Sequence, residues 1–189
     1  MISEPTRPPA DAASWVRALA EALPSRWLET DRGGYTITMR ETAGAAQCLQ
    51  TLEASAAARS DARLHVGWGS FRNLDIAAAR RSDGVLLLDV NRHQRVIWET
   101  VAAVLAAPEA TSPARFAAAL AEALPDRPTS RRFIPDLGRW LASDLDRPQS
   151  WLFAGRPERF AHVQTLFRTG AVAIACVDLL DSAQGAPVH

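Results

Sequence analysis

Lysine is absent from the 189-residue chain, so every one of its 21 basic side chains is an arginine. That excludes Schiff-base chemistry on a lysine amine and any phosphate loop built on a lysine. Cysteine occurs only twice, at Cys48 and Cys176, in neither a zinc-ligand nor a disulfide-framework spacing. Both are expected to act as small buried hydrophobes. The histidines show no two-histidine metal spacing, so no metal site is expected. No apolar run approaches the ~20 residues that span a bilayer. The opening MISEPTRPPADAAS is polar and proline-rich, unlike a secretory leader. A cytoplasmic protein without membrane contact is the expectation. Net charge is missing too, since 21 acidic side chains balance the basic ones, and no overall field draws the chain to nucleic acid.

What is present suits an ordinary globular protein, with 48% hydrophobic and 22% charged residues. The length fits one domain with a substantial core. Residues 1–10, with Pro5, Pro8 and Pro9, read as a flexible arm, and 11–189 as a single α/β domain. Asp11 or Ser14 caps a helix carrying Trp15, Leu19 and Leu23. The alternation of Tyr35, Ile37 and Met39 predicts a short strand, and 41–59 a helix. Strand 64–68 leads through a turn into a helix over 72–80. The run GVLLLDVN (84–91) is apolar without alternation, as in a strand covered on both faces. Helices follow over 93–106, from Pro113, through Leu137 to Leu145, and from Pro157 to Gly170, and AVAIACVD (171–178) is a last buried strand. The fold class is α/β: a reduced, Rossmann-like, doubly wound and mainly parallel sheet flanked by helices.

In such sheets, ligands bind beyond the carboxyl ends of the strands. Three groups of residues fall there: Gly67, Trp68 and Gly69; Asp89 and Asn91; and Asp178. Two glycines one residue apart permit a sharp turn at a helix start. The third glycine of a dinucleotide fingerprint is replaced by Arg72. Asp89 lies 20 residues after Gly69 at a strand end, where a carboxylate can accept hydrogen bonds from a ribose diol. A structural turn beside a surface aspartate is the alternative reading. Trp68, inside the turn, either stacks on an adenine or plugs the pocket.

The stretch HVGWGSFRNLDIAAARRSDGVLLLDVNRHQRVIWETVAAVLAAPEATSPARFAAAL resembles the core of an uncharacterised bacterial family with a class I methyltransferase-like Rossmann fold. The pattern is carried by Gly67, Gly69, Asn73, Leu74, Asp89, Arg115 and Phe116. RFAHVQTLFRTGAVAIACVDLLDS resembles the family's later segment, with Val177 in place of its glycine. The resemblance covers about residues 63–182 and implies an S-adenosylmethionine site. In it, Gly67, Trp68, Gly69 and Asn73 form the loop, Asp89 holds the ribose, and Asn91 and Asp178 line the pocket. The implied function is group transfer to a small-molecule substrate in a biosynthetic setting. The catalytic residue is open, with His93 and Tyr35 as the candidates for a base. His65 is expected to be buried and hydrogen-bonded, and His162 to lie at the surface. The main alternative is a non-catalytic Rossmann-like scaffold or ligand-binding protein; a nicotinamide-dependent oxidoreductase is third. The strand count falls short of the seven of a methyltransferase sheet, so a homodimer or larger assembly is expected, which a monomeric mass at micromolar concentration would contradict.

Overall fold

A computed structural model of the chain describes residues 11–23, 44–56, 61–89, 92–124 and 137–177, with the backbone alone at 92, 93 and 176. In chain order the elements are α1 (Ala12–Ala22), α2 (Ala45–Ala56), β1 (Leu64–Trp68), α3 (Arg72–Arg80), β2 (Gly84–Asp89), α4 (Arg92–Ala106), α5 (Pro113–Ala123), α6 (Leu137–Asp146), α7 (Pro157–Arg168) and β3 (Val172–Cys176). This is an α/β arrangement on a small parallel sheet. β1 pairs with β2 and β2 with β3, both in parallel, with His65 opposite Val85 and Val85 opposite Val172. The described strands therefore follow chain order β1-β2-β3, without a reversal among them.

Local chemistry explains the helix boundaries. The Asp11 carboxylate accepts the Ala13 N–H at 3.0 Å and the Ser14 hydroxyl at 2.8 Å, capping α1. Ser112 accepts the Arg115 N–H at 3.3 Å, and Pro113 occupies the first helical position of α5. Proline at the start of α7 follows the same rule. The predicted strand around Tyr35 lies outside the described residues, as do the two ends of the helix predicted over 41–59.

Every residue of β2 is buried, as its unbroken apolar run predicts. Alternation then divides the core. Val85 and Leu87 face the larger cluster, which includes Phe71, Trp98, Phe116, Leu120, Trp151 and Phe160. Leu86 and Leu88 face a smaller one with Ala175, Val177 and the apolar side of α1. α1 thus covers one side of the sheet, packing on β2 and β3, while α3, α4 and α7 gather on the other. Burying one aliphatic side chain of this kind is worth roughly 1.5–3 kcal/mol, so β2 anchors both layers.

Several expectations need correction. Val16 and Ala13, rather than Trp15, form the buried stripe of α1, because the helix turns that side to β2 and β3. Cys48 is exposed on the outer side of α2 rather than buried. His162 is half-buried rather than at the surface, since α7 packs against α3 and α4.

Candidate functional site

β1 runs into α3 through Gly67-Trp68-Gly69-Ser70-Phe71, and the turn is fastened by one side chain. Asn73, in the first turn of α3, donates through Nδ2 to the carbonyls of Trp68 at 2.7 Å and Ser70 at 2.9 Å. Its Oδ1 is then left as an acceptor, lying 3.0 Å from His65 Nε2. The histidine is therefore the Nε2–H tautomer and donates this bond. His65 is 6% exposed; burial lowers its pKa below the ordinary value, and the bond to Asn73 only partly opposes this.

Each glycine has a separate cause. A Cβ on Gly67 would lie 1.9 Å from Asn73 Oδ1, so the absent side chain is where the amide packs. Gly69 has a φ of +43°, a left-handed conformation that L side chains rarely adopt. A Cβ there would stand 2.6 Å from Asp89 Oδ2. The Asp89 carboxylate, at the end of β2, is thus laid directly against Gly69 and is 9% exposed. The Asp89 carbonyl accepts the Val177 N–H at 3.2 Å, which brings the end of β3 to the same edge.

The turn also uses much of its own backbone. The Ser70 N–H donates to the Trp68 carbonyl at 2.5 Å and the Asn73 N–H to the Ser70 carbonyl at 3.0 Å. The Arg72 N–H donates to Ser70 Oγ at 3.2 Å. Phosphate loops work by presenting such N–H groups to an anion, and here three of them are already engaged.

The structure therefore brings together Gly67, Gly69, Asn73 and Asp89. It does not bring Trp68 to them: strand alternation puts its indole with Leu64 and Val66, on the α1 side of the sheet, 45% exposed. Nor does Trp68 fill a pocket among the described residues. Asn91, Asp178 and Tyr35 lie outside the described residues, and of His93 the backbone alone is described, in the first turn of α4. Among the described residues, no three His, Cys, Asp or Glu side chains converge as metal ligands.

A cleft of about 460 Å³ opens at the opposite end of β1, between α2 and the last turn of α3. The Arg63 guanidinium beside it donates to the Arg80 carbonyl at 2.6 Å and the Ala56 carbonyl at 2.8 Å, capping the carboxyl ends of both helices. This explains Arg63 as a brace, and the cleft is remote from the Asp89 edge.

Sequence reasoning missed a second polar centre, made by Asp75, Asp144 and Arg147. Asp75 sits on α3 among Leu74, Ala78 and Ala79, all buried. A charge within that apolar face was the available signal. Among the described residues, no helix is long and apolar enough to cross a membrane. No protein-family model matches the chain, and no curated protein matches it in sequence.

Proposed function

We propose that the chain is a Rossmann-like, S-adenosylmethionine-binding protein that transfers a group to a small molecule, with Gly69 and Asp89 as the heart of its cofactor site. The observation that carries this reading is the contact between them. A left-handed glycine follows β1, and the carboxylate that ends the neighbouring parallel strand lies over it. A carboxylate in that place can accept hydrogen bonds from both hydroxyls of an adenosine ribose. Gly67 and Asn73 act by holding the turn in shape, and His65 fixes the orientation of Asn73. When bound, the cofactor supplies a methyl group on a sulfonium; the protein's share is to orient it and exclude water. Engagement of the Ser70, Arg72 and Asn73 N–H groups within the turn favours an adenosyl ligand without phosphates over a dinucleotide. Cytoplasmic location and self-association belong to the same reading.

A second reading has its own observation. Asn73 fills the space above Gly67, and the turn then serves a non-catalytic scaffold. Calorimetric titration with S-adenosylmethionine separates the two. Binding by the wild type, weakened at least about tenfold in Asp89→Ala by loss of charge-assisted hydrogen bonds to the ribose, supports the cofactor site. No heat from the wild type, or equal affinity for both proteins, rules out the ribose contact of Asp89.

A further inference from the structure

The cleft between α2 and the last turn of α3 holds one cation and one carboxylate that do not meet. The half-buried Arg80 guanidinium and the exposed Asp61 carboxylate both line it. Among the described residues, neither side chain makes a hydrogen bond or an ion pair. Arg63, beside them, is differently placed. Its guanidinium faces the carboxyl ends of α2 and α3 through the Ala56 and Arg80 carbonyls. Each helix end carries roughly half a negative charge, which together match the arginine. Arg80 is thus the cation of the lining that a ligand can use. The Ser55 hydroxyl donates to the Leu52 carbonyl at 2.9 Å, so towards the cleft it offers only lone pairs. Leu52, Ala62 and Leu64 supply an apolar wall.

This lining selects by charge. A phosphate or a dicarboxylate brings surplus negative charge against Asp61 and two helix carboxyl ends. A simple amine meets the charge of Arg80. A zwitterion answers both, since a carboxylate fits the guanidinium fork and an ammonium donates to Asp61 and Ser55. An aliphatic side chain on the same molecule then covers the apolar wall. The volume of about 460 Å³ suits a small ligand.

We propose that this cleft binds a free α-amino acid with an aliphatic side chain, its carboxylate on Arg80 and its ammonium on Asp61. The cleft lies at the other end of β1 from Gly69 and Asp89, so its occupancy is independent of the cofactor site.

Amide chemical-shift titration with L-leucine tests this, beside two analogues. Isocaproate lacks the ammonium, and isoamylamine lacks the carboxylate. In the wild type, leucine shifts the amides of Ser55, Ala62 and Leu64 and binds at least about threefold more tightly than either analogue. Arg80→Gln weakens leucine at least about threefold and removes its advantage over isoamylamine. Asp61→Asn weakens it similarly and removes its advantage over isocaproate. No shift at these amides, leucine no tighter than either analogue, or leucine affinity unchanged in either variant overturns the site. Asp61 is exposed and unpaired among the described residues, so Asp61→Asn decides the matter if Arg80→Gln does not fold.

Discussion

Asn73 is the residue on which the shape of the glycine turn depends. Gly67→Ala drives a methyl into the amide and costs about 1–3 kcal/mol through overpacking. Asn73→Ala strips partners from the His65 N–H and from two carbonyls, costing about 2–3 kcal/mol. The two changes are complementary, because the alanine methyl enters space the amide vacates. In urea denaturation, Gly67→Ala/Asn73→Ala should therefore lose at least about 1 kcal/mol less than the sum of the single variants. Strict additivity would mean that the Asn73 side chain does not set the identity of residue 67. This division of labour was only half legible in the sequence. The Gly-x-Gly spacing announces a turn, and the position of Asp89 announces a strand end. Nothing in the linear order says that Asn73 folds back six residues to occupy the first glycine, or that Trp68 turns to the other side of the sheet.

Elements were easier to read than their docking. All three described strands and most helix boundaries follow from apolar runs, prolines and capping residues, because those signals are local. What holds α2 to α7 is not local. Arg156 grips Glu53 with Nη2 at 2.5 Å and Nη1 at 3.1 Å, and Arg159 Nη2 reaches the same carboxylate at 2.9 Å. These partners stand more than 100 residues apart in the chain, and no spacing rule connects them. Burial pushes the Glu53 carboxyl upward, but the Arg156 hydrogen bonds and the Arg159 charge outweigh it and hold the group below its ordinary range. Its contribution is present above about pH 4.5 and is lost as pH falls. Glu53→Gln should cost about 1–2 kcal/mol at neutral pH, given the partial exposure of the site. In denaturant melts, that difference from the wild type should shrink in acid; a difference constant from neutrality to acid would contradict the clasp.

At the scale of the whole molecule, the two edges of the sheet differ. Its carboxyl edge gathers the glycine turn, Asp89 and the end of β3, while its amino edge carries the Arg63 brace and the 460 Å³ cleft. β1 is an outer strand of the described sheet and exposes Val66 and Trp68. Sequence pattern alone could assign α/β class and parallel strands, since unbroken apolar runs require cover on both faces. It could not foresee the strand order, which depends on where the long passage through α4 to α7 returns the chain. The claim that most needs testing is that the carboxyl edge, and not the cleft, receives the cofactor. Amide chemical-shift mapping with S-adenosylmethionine answers it directly. The account predicts perturbations centred on Gly69 and Asp89 and extending into the first turn of α3. Perturbations centred on Arg63 and Arg80, or none anywhere, would contradict it.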